Sequence, residues 1–561
     1  MKNKDGGKMA FRKVYPGVKE GGAVNPGARA RKWMWVFLAV MVVAALGIGS
    51  IVMTFREKQE QGDTVLRFLL FGQKPDGMEE VLEEFYRRTK DTLGIRIEME
   101  WVARSSEYKV LSDVKLSGKE NYDLVFDADW IHLYEMQERG VYLDLSPYLD
   151  NPEYPGLRSA FSRAALENNR INGEQCALPV FRTYGSGIPC IYYRKDLALK
   201  YGIPSIDSVE DMQAYMEALL AGEPDMIPLV LNGSRGFFGF HPESTVMTRE
   251  QARRLVYPIT IGEVTVVVQM DESLSEIEAV GMMGDEEGFS GFMEGLQFDF
   301  LIGRLQGYRN WNRYCEEDVL NRTDQVAVFQ SGQGGAYIST LDDYEEVSSL
   351  LEGQVPGASL GVYIISDAIR NREERAIGTS YRANNYICIP AFSEHVEETV
   401  RFLDWLYASE DNHDLFEHGI EGTHWRAMGG ERYEMLADEK GNYYVFPGYA
   451  MTWNTHYVKF PVAMPEDILA YRKYELQEST FFEKPLNGFV FDESRVRRQM
   501  VKVTQILNRV WPALRNGILD DPEGVLRTAV EEAKENGLKD ILEELERQLQ
   551  EFLDRRQDGN S

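Results

Sequence analysis

Short polar segments that follow apolar runs carry the residues best suited to hold a ligand. Gln73 and Lys74 follow the run Thr64–Phe71, and Asp127, Asp129 and Trp130 follow Asp123–Phe126. Carboxylates accept hydrogen bonds from hydroxyl groups, and an indole offers a flat face on which a pyranose stacks. Arg182 and Tyr184 come just after Leu178-Pro179, Trp425 follows a glycine-rich turn, and Trp453 is a further stacking surface. Strand-end loops of open α/β sheets are the usual place for such groups. Each has a plainer reading: the three tryptophans as core anchors, Arg182 and Tyr184 as parts of a solvated loop.

Other constellations carry less. Asp127 and Glu421 are imaginable as the two carboxylates of a glycoside hydrolase, which stand about 5–9.5 Å apart across a cleft. With 90 Asp and Glu in 561 residues, however, neighbouring carboxylates are expected by chance. There is no GxSxG elbow for a serine nucleophile. His418 and His424 flank Glu421 in a stretch whose two glycines argue for a turn, not for one helical face holding a metal. The glycines of Ser331–Gly335 lack the GK[ST] of a phosphate cradle and read as a hinge or close-approach turn. Cys176, Cys190, Cys315 and Cys388 have no CxxC spacing, which excludes a zinc ribbon; buried thiols and a disulfide both remain open. No metal or cofactor is expected.

The length suits two or more domains with a large core. Its net charge of −29 is unevenly spread: residues 1–56 hold ten Lys/Arg against two acids, leaving −37 for the rest. So acidic a body repels phosphate and excludes a general nucleic-acid binder. Residues 33–55 form an uncharged apolar run of 23, long enough to cross a hydrocarbon core of about 30 Å. The basic segment 1–32 before it predicts a cytoplasmic N-terminus and an exterior body. A single-pass anchor is favoured over a cleaved signal, which would leave a secreted chain, because the run exceeds the usual signal core of about 7–15 residues. A linker, 56–62, follows.

These residues need a frame. Thr64–Phe71 reads as a buried strand, Met78–Arg88 as an amphipathic helix, Ile95–Trp101 as an alternating strand and Asp123–Phe126 as a third strand. Strand–helix–strand order predicts a parallel, helix-covered sheet. Further along, Ile188–Tyr193 and Glu263–Met270 read as strands, Ser208–Leu220 as a capped helix, Val396–Tyr407 as an amphipathic helix, and 271–290 as an acidic loop. Two helices follow the Asp521-Pro522 start, split at Gly537.

Asn121-Tyr-Asp-Leu-Val-Phe-Asp-Ala-Asp-Trp130, then Glu138-Arg-Gly-Val-Tyr-Leu-Asp-Leu-Ser-Pro147, resembles a run found in extracellular solute-binding proteins of ABC importers. Gly173–Pro179, Ile191–Gly202, Asn384–Pro390 and Glu397–Ser409 are similar to later segments of that family. Gly419–Trp425 and Pro485–Asp492 resemble a lipoprotein-type subfamily with a helical C-terminal extension. The resemblance runs in patches over residues 63–555. It implies a two-lobed periplasmic-binding-protein-like α/β fold (type II), with ligand in the cleft between lobes that the chain crosses more than once. The implied boundaries are 63–178 and 338–385 for lobe I, 179–337 and 386–480 for lobe II, and 481–561 for the extension. It also implies a non-enzymatic function: capture of a small solute, foremost a carbohydrate or oligosaccharide, and delivery to the permease subunits of an ABC importer. The binding protein is expected to be a monomer. The alternatives are a ligand-sensing ectodomain for a membrane signalling partner and the anchored glycoside hydrolase.

Overall fold

A computed structural model describes residues 63–559 apart from 186, 238–239, 241–253, 262–263 and 295–302. The basic segment, the apolar run 33–55 and the linker lie outside the described residues. Among the described residues, no helix is long and apolar enough to cross a membrane.

The first strand, β1 (Thr64–Phe71), buries Leu66, Phe68, Leu69 and Leu70. Helix Met78–Thr89 follows and buries Met78, Val81 and Phe85 on one face; β2 (Ile95–Val102) and β3 (Leu124–Ala128) complete the start of the sheet. The full order is β2-β1-β3-β13-β4, with β13 spanning Asn385–Cys388 and β4 spanning Leu178–Val180. β1 and β3 are parallel, as expected, whereas β13 runs antiparallel to both β3 and β4. Helix Val396–Tyr407 closes one face: Phe402 meets Phe68 at 5.1 Å between ring centroids, and Trp405 meets Phe85 at 4.9 Å. Burying one such ring is worth about 1.5–3 kcal/mol.

A second sheet has the order β11-β5-β10-β6, formed by β5 (Pro189–Arg194), β6 (Ile227–Val230), β10 (Gly334–Thr340) and β11 (Leu360–Ile364). Alternating side chains of β5 serve two cores, Cys190 and Tyr192 on one face and Ile191 and Tyr193 on the other. Period-two alternation in a sheet covered on both sides explains why β5 is apolar throughout. The first core takes helix Glu466–Tyr474 through Ile468 and Leu469. The second takes the antiparallel sheet β7-β8-β9 (Val256–Ile261, Val264–Met270, Ile277–Met282) and helices Arg497–Asn508, Pro522–Glu535 and Leu538–Gly559.

Local expectations survive well. Ser208 and Asp211 form the complete capping box of helix Val209–Gly222, and Asp521 accepts the Gly524 N–H at 2.9 Å. Three need correction. The segment 271–290 contains β9, whose Ala279 and Met282 turn inward against β8. Gly334 and Gly335 stand in β10, where a Cβ on Gly335 would lie 2.2 Å from Leu219 Cδ1, so close packing of helix on strand requires the glycine. The lobe returns are exchanged: 334–364 pair with β5 of the second sheet, while 385–451 join the first sheet and its core. Nothing local in these strands reveals their partner, which hydrogen bonding to chain far away in sequence decides.

The chain therefore passes between the two sheets three times, through residues 181–188, 365–384 and 452–460. β12 (Ile377–Thr379), within the second passage, pairs in parallel with β17 (Phe481–Glu483). The four cysteines are unbridged; Cys176, Cys190 and Cys388 are buried.

Candidate functional site

A cavity of about 570 Å³ opens where the end of β1 meets the passages between sheets. One wall is Gln73–Asp76, directly after β1. Gly72 makes this possible: at φ +130° it carries no Cβ, which would otherwise sit 2.9 Å from Pro447 Cγ. The turn 447–449 thus closes onto the strand end and brings Tyr449 beside Phe71. The opposite wall comes from helix Glu410–Glu417, from β15 (Arg432–Met435, which pairs with β14, Trp425–Ala427, and β16, Phe460–Pro461), and from residues 443–459.

The lining is aromatic with interspersed charge. Trp453 stands edge-on to Tyr449 at 5.8 Å, and Tyr457 stacks on His413 at 5.0 Å. His413 Nε2 donates to the Thr452 carbonyl at 2.8 Å, which fixes that ring. Lys459 is buried between Glu410 and Asp414, the latter at 3.2 Å. Burial alone would lower its pKa, but the two carboxylates hold it above the ordinary lysine value. Glu417 accepts the hydroxyl of Thr452. Burial pushes the Tyr433 phenol up to about 12 and lowers His418, favouring its neutral form. Its Nε2 is buried without a hydrogen-bond partner among the described residues.

Of the nine residues singled out from sequence, Gln73, Lys74, Arg182 and Trp453 line this cavity. Lys74 is paired with Glu79. Asp129 is exposed outside it, and Trp130, 44% exposed, packs against Phe71 and Phe126. Three are corrected to structural roles. Asp127 is 2% exposed; its carboxylate accepts the Tyr142 hydroxyl and the N–H groups of Ala128 and His132, so it cannot act as an acid opposite Glu421. Tyr184 is 7% exposed, packed with Tyr381 and Phe481 where the passages meet. Trp425 is 6% exposed and donates from Nε1 to the Gly419 carbonyl at 3.0 Å. His424 is likewise engaged, its Nδ1 accepting the Ile420 N–H at 3.0 Å and its ring stacked on Tyr444.

Tyr433, Tyr443, Tyr449, Tyr457, Lys459 and His418 also line the cavity, and no motif in the sequence marks them as ligand-binding. All lie in irregular chain or short strands between 413 and 459, where no periodicity marks a face. The one usable signal was the density of aromatic residues there.

The comparisons with known proteins bear on this geometry. A carbohydrate ABC transporter substrate-binding protein of Streptococcus pneumoniae serotype 4 is 22% identical over 531 residues, 93% of this chain and 98% of that one. The crystal structure of the N-glycan transport solute-binding protein NgtS from the same species superposes with a TM-score of 0.64, at 19% identity, over 88% of this chain and 100% of that one. The chain shares the fold of these solute-binding proteins. An HMO-binding, ABC-transporter-associated solute-binding protein from Bifidobacterium longum infantis has the same fold, with a TM-score of 0.54 at 12% identity over 87% and 99% of the two chains. NgtS has also been solved with Man5GlcNAc, and that complex superposes at a TM-score of 0.51 and 20% identity, over 88% of this chain and 99% of that one. Residues 485–554 match a family described as a domain of unknown function, DUF3502. They contribute Val503, Leu507, Leu526 and Leu549 to the core beneath β8.

Proposed function

We propose that this solute-binding protein captures an oligosaccharide in the cavity at the lobe junction and delivers it to the permease of an ABC importer. The observation that carries the reading is the cavity itself: indole and phenol faces mixed with fixed polar groups, beside the passages about which the two lobes would close. Stacking surfaces plus hydrogen-bonding groups suit a pyranose, whose faces are apolar and whose rim is hydroxylated. Gln73, Lys74, Arg182 and Trp453 are the sequence-singled residues that would meet the ligand, with Tyr449, Tyr457 and Lys459 beside them. The sheet order, with β13 returning between β3 and β4, supports the type II arrangement. Closure would bury the ligand and select the closed population, so binding energy is converted into a shape that the permease recognises. The apolar run 33–55 would tether the body outside the membrane, in keeping with delivery at the cell surface.

Calorimetry of the full chain in detergent against a panel of neutral oligosaccharides tests this. A ligand at a hundredfold excess over its Kd should raise apparent stability by about 2.7 kcal/mol. Turnover of a screened glycan, or no stabilisation by any of them, would remove the proposal.

A further inference from the structure

Several polar side chains of the cavity make no hydrogen bond to another described residue, and three of them, Arg182, His418 and Tyr433, are of donor type. Arg182 lines the cavity and makes no hydrogen bond or ion pair with another described residue, in contrast to Lys74 and Lys459, which are held by Glu79 and by Glu410 with Asp414. His418 Nε2 is buried and has no partner among the described residues. The Tyr433 hydroxyl has no hydrogen-bond partner among the described residues, and its ring lies 4.5 Å from that of His418. Arg182, His418 and Tyr433 line the same cavity, and burial raises the Tyr433 hydroxyl against a smaller lowering by the charge of Arg182.

All three can donate. A guanidinium and a phenol supply N–H and O–H donors, and a neutral imidazole supplies an N–H from the nitrogen that bears the proton. A set of such donors suits a ligand group that only accepts. Charge points the same way. Of the lining cations, Lys74 and Lys459 are already paired with carboxylates and Arg182 is paired with none among the described residues, while the lining carboxylates are Glu417 and the exposed Asp76. Glu475, the carboxylate that feels the charge of Arg182, is already paired with Arg472 at 2.8 Å. Closing the cavity over a neutral ligand would leave the guanidinium desolvated without a bound counter-ion, which is costly. A ligand that brings its own anion removes that cost, and the planar fork of arginine matches a carboxylate in two parallel hydrogen bonds.

We propose that Arg182, His418 and Tyr433 form a subsite for the carboxylate of an acidic sugar, a uronic- or sialic-acid unit of the captured oligosaccharide. This rests on the capture function proposed above and adds a substrate class to it. The body's charge of −37 then acts against the ligand at long range, and selection comes from contacts within the cavity.

The test uses matched pairs: uronic-acid-terminated and sialylated oligosaccharides, each beside the counterpart in which a neutral hexose replaces the acidic unit. Calorimetry on the full chain should find at least one acidic member bound about tenfold or more tightly than its counterpart, the value of one charge-assisted hydrogen-bond set. The preference should shrink as salt is raised. Arg182→Gln should abolish it, weakening the acidic members to the level of their neutral counterparts, and Arg182→Lys should restore only part, because a point charge lacks the fork. Equal or tighter binding of the neutral members overturns the carboxylate subsite and leaves oligosaccharide capture standing. A preference that persists unchanged in Arg182→Gln also overturns it. Failure of every neutral and acidic glycan to bind overturns both readings.

Discussion

Thr455 Oγ1 donates a hydrogen bond to the Tyr184 hydroxyl at 3.0 Å, joining the third passage between the sheets to the first. The second passage meets the same residue: the Thr379 hydroxyl donates to the Tyr184 carbonyl, and the Tyr381 ring packs 5.5 Å from that of Tyr184. One buried tyrosine thus ties together all three strands of chain about which the lobes would move. Tyr184→Phe should cost about 1 kcal/mol, the price of one hydrogen bond. Tyr184→Ala should cost about 3–5 kcal/mol through the cavity it leaves. Urea midpoints of the two variants give the comparison, and equal losses would show that the hydroxyl, not the ring, is what matters.

Asn169 spends its whole side chain at the same junction. Its Nδ2 donates to the carbonyls of Ala165 and Tyr381, both at 2.6 Å, and its Oδ1 accepts from the Ala383 N–H and the Tyr386 hydroxyl. Asn169→Ala should therefore destabilise by roughly 3 kcal/mol or more, because several buried groups lose their partner at once. Asn169→Asp keeps the acceptor and loses both donors, and should fall no less far at neutral pH. Chemical denaturation decides; a loss under 1 kcal/mol in both would mean that water replaces the side chain.

Asp127 predicts a pH dependence. Burial raises its carboxyl to about 6, against the hydrogen bonds from Tyr142, Ala128 and His132 that pull it down. Since the folded value lies above the unfolded value of about 3.9, the stabilisation is fully present below pH 4 and is lost as pH rises through 6. Asp127→Asn carries no such proton. Its stability relative to the parent should rise by roughly 2 kcal/mol between pH 4 and pH 7. Parallel stability-against-pH curves for parent and variant would contradict the assignment.

Gly448 is the point at which the cavity can be altered with one methyl group. A Cβ there would lie 2.2 Å from Trp453 Cδ1 and 2.6 Å from Glu417 Oε2. Gly448→Ala should push the indole out of place and weaken oligosaccharide binding by about tenfold or more, read by calorimetry. Trp453→Ala should weaken it at least as much; full retention of affinity in both would take Trp453 out of the binding site.

Removing residues 485–561 should unfold the second lobe, because Met500, Val503, Leu507 and Leu526 are shared with the core beneath β8. Asn487 also fastens this segment to the second passage by donating to the Ser380 carbonyl at 2.7 Å. Loss of near-ultraviolet dichroism with exposure to a hydrophobic dye is the expected readout. A folded, ligand-binding truncation would show the helices to be an appendage.

Much of this was determined by local sequence. The apolar run of β1, the one-sided pattern of Met78–Thr89, the capping box at Ser208 and the Asp521-Pro522 start all specify their elements through contacts within a few residues, and those contacts are present in any compact arrangement of the chain. The order of motifs likewise gave the two-lobed class. The tertiary structure alone decided which lobe each returning strand joins, since β13 and β10 look alike locally and differ only in distant hydrogen-bond partners. It also decided the cavity. Asp127 and Trp425 have the right chemistry but face inward, whereas Tyr433, His418 and Lys459 reach the lining because β15, a helix end and an irregular passage converge there. A side chain's type is set by its codon; whether it meets solvent, core or ligand is set by what the rest of the chain packs against it.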